Sequence, residues 1–175
     1  MIKLLRKVLV LIIFSILFHQ HSFADSPVYI DFKLILNTSD AGKKAQTYLR
    51  QKLDKGMKEL KKKEINLIEE EKKIIQQKKI ISNDEYKKKV DDLRKKASSL
   101  QNERKTLLET VSKERSKARS ILLKNLNPII KDYMVEKKLR MVLDKKSLLL
   151  ADENLDITKD ILVKLNSKLK SIDLK

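Results

Sequence analysis

Several residue types are scarce or absent in this 175-residue chain. It has no cysteine, no tryptophan, two histidines, two glycines and two prolines, and aromatic residues make up only 5%. Without cysteine the chain forms no disulfide and has no thiol chemistry. Two glycines, Gly42 and Gly56, are too few for a glycine-rich phosphate loop. Charged residues make up 37%, which is typical of long helices with solvated faces rather than of a compact enzyme.

The N-terminus has the pattern of a secretory signal peptide. Basic residues precede an apolar run over residues 8–18, and Ser22-Phe23-Ala24 offers small residues at the two positions that a signal peptidase requires. We predict a signal peptide over residues 1–24, cleaved after Ala24. The alternative is an uncleaved membrane anchor, but the apolar run is about half of the ~20 residues that a spanning helix needs.

The remaining chain lacks the residues of the common catalytic sites. Both histidines, His19 and His21, leave with the predicted signal peptide. This excludes Ser-His and Cys-His mechanisms and the nitrogen and sulfur ligands of zinc. The acidic run Glu69-Glu70-Glu71 can be imagined as a metal site, but a solvated helix face that pairs with neighbouring lysines is the favoured interpretation. We therefore predict no enzyme, no cofactor and no metal.

A seven-residue apolar repeat dominates the middle of the chain and predicts two long helices. Its first half contains Leu53, Leu60, Leu67, Ile74 and Ile81, with Met57, Ile68 and Ile75 between them. Its second half contains Tyr86, Val90, Leu93, Ala97, Leu100, Leu107, Val111, Ala118 and Ile121. Between the halves, Ser82 and Glu85 form a capping box that starts a new helix. The pattern predicts an antiparallel coiled-coil hairpin with its tip near residues 80–86.

Three positions on this hairpin depart from the pattern. Gly56 lies inside the first helix and should weaken it by roughly 1 kcal/mol relative to alanine. Arg104 and Glu114 fall on seam positions of the second helix. Such residues either loosen the seam, so that the arm can flex, or extend their charged ends to solvent.

Short β-prone runs flank the hairpin. We predict one strand at residues 28–32, two more at 139–143 and 147–151 that form a β-hairpin, and a cap for the first long helix within residues 37–40. Pro128 should bend the second long helix, which then resumes. Asp156 or Thr158 should cap a final amphipathic helix.

The predicted fold class is α+β, mostly α, with the helical hairpin inserted between the strands of a small body. The body comprises residues 25–50 and 120–175, and the hairpin residues 51–119. The run Leu148-Leu149-Leu150 is too continuous for a strand with one wet face, so it is either covered within the chain or meets another subunit. The predicted oligomer interface contains Val28, Ile30, Leu148, Leu149 and Leu150.

The ends of the chain resemble the OmpH/Skp family of periplasmic chaperones. The N-terminal likeness lies in Val28-Tyr29-Ile30-Asp31, Ile35-Leu36-Asn37 and Ala41-Gly42-Lys43-Lys44-Ala45. The C-terminal likeness lies in Pro128-Ile129-Ile130, Met141-Val142-Leu143-Asp144 and Asp156-Ile157-Thr158. The order of these segments, with the signal peptide and the helical hairpin, carries the resemblance more than any single motif.

The resemblance implies a homotrimer whose β-rich bodies assemble together and whose hairpins project as three tentacles around a cavity. It also implies a periplasmic location and an ATP-independent holdase that binds unfolded outer-membrane proteins. The arms are unusually rich in Lys and Ile, so contact residues cannot be transferred position by position. The alternative from a different class is a coiled-coil spacer or adaptor of the cell envelope without holdase activity.

Basic residues are concentrated in the hairpin. Residues 51–119 hold 22 Lys/Arg and 13 Asp/Glu, a net charge of +9. Such a surface attracts acidic chains and could contact anionic lipid or lipopolysaccharide; for any single lysine, solubility is the simpler explanation. A nucleic-acid partner is disfavoured by export and by the lack of aromatic residues among the basic ones. The predicted client-binding residues are Ile75, Ile80, Tyr86, Lys61, Lys62, Lys63, Lys87, Lys88 and Lys89.

Overall fold

A computed structural model describes residues 27–174, so the predicted signal peptide lies outside the described residues. The elements in chain order are β1 (Val28–Ile30), α1 (Phe32–Thr38), α2 (Asp40–Gln77), α3 (Asn83–Glu136), β2 (Val142–Asp144) and α4 (Thr158–Lys168). The described chain is therefore mostly helical with little strand, as the predicted fold class requires. Within the described residues, no helix is both long and apolar enough to cross a membrane.

The two long helices begin at serine caps. The Ser39 hydroxyl accepts a hydrogen bond from the Gly42 N–H at 3.1 Å, and the Ser82 hydroxyl accepts one from the Glu85 N–H at 3.2 Å. Each cap satisfies a backbone donor that the first helical turn leaves free. Helices α2 and α3 therefore start where the sequence predicts, and residues 78–82 form the turn between them.

Helices α2 and α3 pack against each other as an antiparallel pair along a narrow apolar seam. Leu60 and Ile74 on α2, and Leu100 and Val111 on α3, are buried there. Ala97, which we also expected on the seam, is exposed. Met57, Ile68 and Ile75 are exposed too, because they lie beside the buried line rather than on it. The fully buried part of the seam is thus a narrow line of side chains.

Strand β1 pairs with β2 in parallel, with Val28 opposite Val142 and Ile30 opposite Asp144. The whole helical hairpin forms the connection between these two strands. The predicted β-hairpin at residues 139–151 is wrong: residues 145–147 form a 3₁₀ turn, and residues 148–151 are not a strand. The place beside β2 is taken by β1, which lies more than a hundred residues earlier in the chain.

One further expectation about the first strand needs correction. Phe32 belongs to helix α1, not to the first strand, because the Asp31 carboxylate accepts a hydrogen bond from the Leu34 N–H at 2.7 Å and starts a helix there. Helix α3 contains Pro128 and continues to Glu136, so the helix resumes after the proline as predicted.

The main hydrophobic core lies where β1, α1, the C-terminal part of α3 and α4 meet; we call this region the body. Its least exposed side chains are Ile35, Leu126, Ile129, Ile161 and Leu165. The Asp156 carboxylate accepts hydrogen bonds from the Thr158 N–H at 2.9 Å and from the Thr158 hydroxyl. The predicted cap by Asp156 or Thr158 is nevertheless wrong, because Ile157 holds the N-cap position of α4 and no side chain caps the helix there. We call residues 53–77 and 83–108 the arms.

Candidate functional site

An uncovered apolar stripe follows one side of the arms. Ile68, Ile75 and Leu108 are exposed, and each follows a seam position by one residue. One residue along a helix is about 100° of rotation, so each side chain points sideways from the seam. Because α2 and α3 run in opposite directions, the same rotation brings all three to the same side of the pair. We call Met57, Ile68, Ile75 and Leu108 the apolar flank.

The predicted apolar contacts at the tip differ in their exposure. Ile80, in the turn, is 83% exposed, and Ile75 is more than half exposed. Tyr86 is partly covered, with the Lys78 ammonium 5.6 Å from the centre of its ring. The structure therefore leaves both isoleucines open to a partner, whereas Tyr86 already has a cationic neighbour.

Half of the six predicted client-binding lysines have partners within the chain. Lys61 pairs with Glu64 at 3.2 Å. Lys63 pairs with Glu103 of the opposite arm at 2.5 Å. Lys89 pairs with Glu85 and donates a hydrogen bond to Gln77. Within residues 27–174, the other three make no ion pair: Lys62, Lys87 and Lys88. The excess positive charge of the arms is thus only partly neutralised locally.

Ion pairs across the seam join the two arms in register. In addition to Lys63 and Glu103, Lys96 contacts Glu70 at 2.6 and 2.9 Å. Nearer the body, Lys52 donates to Glu114 at 2.5 Å. The Glu114 side chain is 16% exposed, so it lies between the helices instead of extending to solvent. The hydrogen bond to Glu114 raises the pKa of Lys52 despite an opposing effect of burial.

Arg104 is the second charged residue on the seam. Its guanidinium lies 3.9 Å from Glu64 of the opposite arm. Both side chains are a little over one third exposed. Together with Glu114, Arg104 therefore connects the arms through charge where apolar contact is interrupted.

The five residues predicted to meet another subunit fall into two groups. Val28 and Ile30 are buried in the core of the body, so their side chains are already covered within one chain. Leu149 and Leu150 are 103% and 92% exposed, while Leu148 is partly buried. This uncovered pair of leucines lies in the irregular segment after β2.

A basic cleft near the body has no counterpart in the sequence predictions. It has a volume of about 1210 Å³ and lies between α1, α2, α3 and the end of β2. Its basic side chains are Lys33, Lys43, Arg50, Arg115, Arg119, Lys145 and Lys146. The Arg119 guanidinium lies 5.8 Å from the centre of the Phe32 ring. These residues come from four separate segments, so the sequence shows only the spacings within a segment, such as Lys43 to Arg50 and Arg115 to Arg119.

The described residues contain no group of three or more histidine, cysteine, aspartate or glutamate side chains that could hold a metal ion. Long helical arms carry exposed aliphatic side chains beside a partly unpaired set of lysines. Such a surface can bind an extended chain through many weak contacts.

Comparison with known proteins agrees with this description. The family model for outer membrane proteins of the OmpH-like type matches residues 27–165. A crystal structure of an OmpH-like protein from Caulobacter crescentus CB15, assigned as a candidate outer membrane chaperone, superposes with a TM-score of 0.78. The two sequences are 23% identical, and the match covers 85% of this chain and 89% of that one. No curated protein sequence matches. Because the family match spans most of its length, the chain belongs to the OmpH-like family.

Proposed function

We propose that this chain is a periplasmic holdase chaperone that binds unfolded outer-membrane proteins without ATP and prevents their aggregation. The observation that carries the proposal is the apolar flank, whose four side chains are 38–58% exposed in the described chain. Aliphatic side chains at intervals along a rigid pair of helices bind apolar segments of many sequences, each weakly. Membership of a chaperone family supports the same function.

The uncovered leucines support assembly into a homotrimer. Leu149 and Leu150 form an exposed apolar segment on the body, and a monomer gains nothing from such exposure. The number three comes from the family resemblance. Replacing Leu149 with Asp should dissociate the trimer, because a charge buried at an interface without a partner costs several kcal/mol. Light scattering at micromolar concentration measures this, and a wild-type monomer would contradict the proposal.

An aggregation assay tests the holding function. The full chain should suppress aggregation of an unfolded β-barrel protein at roughly stoichiometric amounts and without nucleotide. Substitution of Ile68 and Ile75 by Ser should raise the amount required severalfold, because two apolar contacts are lost. The matched control replaces Val135 and Val163, which are exposed on the body, by Ser. If both variants lose the same amount of aggregation suppression, holding belongs to the body. If the wild type suppresses no aggregation, the alternative function of a coiled-coil spacer is favoured.

The lysines should act on the rate of capture. Charge attraction steers encounter and is screened beyond ~8 Å at physiological salt, whereas apolar contact is not. Raising salt to about 0.5 M should therefore slow client association and change dissociation little. Replacing Lys62, Lys87 and Lys88 by Gln should mimic the salt effect, because these three are unpaired among residues 27–174. Replacing Lys61, Lys63 and Lys89, which have partners, should do less.

A further inference from the structure

The last residues of the chain pack against the hairpin near the body. Helix α4 ends at Lys168, Leu169 adopts an extended conformation (φ −133°, ψ 104°), and residues 171–174 form neither helix nor strand. Leu174 is only 5% exposed. It belongs to a separate buried cluster with Ala45 and Leu49 of α2 and Val111 and Ala118 of α3. We call residues 169–174 the tail, and the surface formed by these four partners the root slot.

The covered side chains at the end of the tail are those of Ile172 and Leu174. Ile172 and Leu174 are two residues apart, so in an extended chain their side chains point to the same side. Ile172 is partly buried and packs against both the body core and the root cluster. Ser171 and Asp173 between and beside them are exposed. The root slot therefore accommodates a segment with apolar residues at alternating positions.

Small side chains lie where this segment packs. Ala45 and Ala118 are both buried in the root cluster, one on each helix. Alanine at both positions adds little side-chain volume between α2 and α3, in the cluster that Leu174 joins. Leu49 and Val111 supply the apolar walls. Residues of α2 and α3 thus form the root slot, and the tail that occupies it belongs to neither helix.

Polar contacts hold the start of the tail close to the slot. The Asn166 side-chain oxygen accepts a hydrogen bond from the Asp40 N–H at 2.8 Å, and Lys170 pairs with the Asp40 carboxylate at 3.0 Å. Both contacts lie at the first turn of α2. The tail is tethered only a few residues from its site, so its effective concentration there is in the millimolar range.

We propose that the root slot is a binding site for extended segments with alternating apolar residues, and that the tail occupies it as an internal competitor. The identity of the ligand rests on the proposed function. The ligand that fits is a strand of an unfolded β-barrel protein, in which apolar and polar residues alternate. The tail lies beyond residues 27–165, which the family model matches. A weakly binding tail lets a client strand compete, whereas a tightly binding tail keeps the site closed.

The test uses a labelled peptide with the sequence of residues 168–175 and the full chain with Ile172→Ser and Leu174→Ser. Fluorescence anisotropy should show at least about tenfold tighter peptide binding to this variant than to the wild type, whose own tail fills the slot. A peptide with Asp at the positions of Ile172 and Leu174 should not bind. Adding Ala118→Leu to the variant should abolish binding, because the larger side chain takes up volume in the cluster that Leu174 joins.

Three outcomes would overturn the proposal. The first two are a variant that binds no peptide and a wild type that binds the peptide equally well. The third is a variant that does not fold by circular dichroism, which would make the tail an indispensable part of the core instead of an exchangeable occupant. The matched control is Val163→Ser, which removes an exposed apolar residue of α4 outside the tail. It should leave peptide binding at the wild-type level.

The aggregation assay separates this proposal from the proposed function. If the slot also receives clients, the variant should suppress aggregation at a lower concentration than the wild type does. If the wild type suppresses aggregation but the variant binds no peptide, the holdase function stands and the slot proposal fails. If the variant binds peptide but neither protein suppresses aggregation, the slot exists and the holdase function fails.

Discussion

The body and the arms of this chain are stabilised by different means. In the body, Ile35, Ile161 and Leu165 are completely buried, with neighbours from strands and from several helices. In the arms, Leu60, Ile74 and Leu100 are buried along a single line between two helices, and charged pairs such as Lys96 and Glu70 continue the contact. The body therefore has a core in three dimensions, whereas the arms have only a seam.

Because of this difference, the body provides most of the stability and the arms provide the surface for binding. A seam between two helices leaves both sides of the pair open to solvent, so the arms can present apolar residues without loss of fold. In the body, the exposed apolar side chains, among them Val135, Val163, Leu149 and Leu150, lie outside the closed core. Local opening of the arms should accordingly require less free energy than opening of the body. The following predictions test the division in order of decreasing effect.

Removing the arms should have the largest effect. We expect the chain to remain folded when residues 57–106 are replaced by a short glycine-serine linker, which joins the helices at Gly56 and Leu107. This cut retains the root cluster that the tail contacts. Circular dichroism should show a cooperative transition within a few degrees of the wild type, while client protection disappears. An unfolded product would show that the body depends on the arms, and full protection would place the holding surface on the body.

Equal substitutions in the two regions should have unequal costs. Leu165→Ala in the body should lower the free energy of unfolding by about 3 kcal/mol or more, because it leaves a cavity in a closed core. Leu67→Ala on the partly exposed seam should cost about 1 kcal/mol, because neighbouring side chains and water can fill the space. Urea titration of both variants measures the difference. Equal costs would mean that the arms are packed as tightly as the body.

Local sequence signals predicted the arms well. The seven-residue repeat identified buried Leu60, Ile74 and Leu100, and the serine at position 82 marked the start of α3. Both signals depend on neighbours within a few residues, which the sequence displays directly. The exposed flank was harder to identify. Ile68 and Ile75 are apolar and close to the repeat, so their position beside the seam follows only once the register of the helices is known.

The body was predicted less well, because its contacts join distant segments. Strand β2 pairs with β1 across the whole hairpin, while the local pattern suggested pairing with residues 147–151. The basic cleft collects Lys43, Arg119 and Lys146 from remote positions. Ile172 and Leu174 belong to no periodic run, so nothing local marks them as buried. Such contacts depend on tertiary packing, which overrides local preference.

Substitution of Gly56 measures how closely the arms approach each other near the body. A Cβ atom at this position would lie 2.6 and 2.8 Å from the two terminal carbons of Leu107. Gly56→Ala gains up to about 1 kcal/mol of helix propensity, but overpacking costs about 1–3 kcal/mol. We expect a net loss of about 1 kcal/mol. In the Leu107→Ala background the same substitution should stabilise by a similar amount, and a loss in both backgrounds would contradict this explanation.

The smallest expected effect concerns the body alone and depends on pH. The Tyr133 hydroxyl donates to Asp160 at 2.6 Å and thereby joins α3 to α4. Burial and, secondly, this hydrogen bond raise the pKa of Tyr133 to about 12. The folded state thus favours the neutral phenol, and the stabilisation is complete below the ordinary tyrosine value of about 10. This stabilisation is lost as the pH rises from the ordinary tyrosine pKa through the raised pKa of Tyr133 in the folded protein.

Comparison with Tyr133→Phe isolates this effect from the titration of lysines. At neutral pH the variant should be less stable by about 1 kcal/mol, because one hydrogen bond is lost. The difference should shrink as the pH rises above about 10, since only the wild type must then bury a phenolate or break the contact. Urea unfolding of both proteins at several pH values measures this. The arm-deleted chain should show the same dependence, and a difference that stays constant with pH would rule out Tyr133 as its origin.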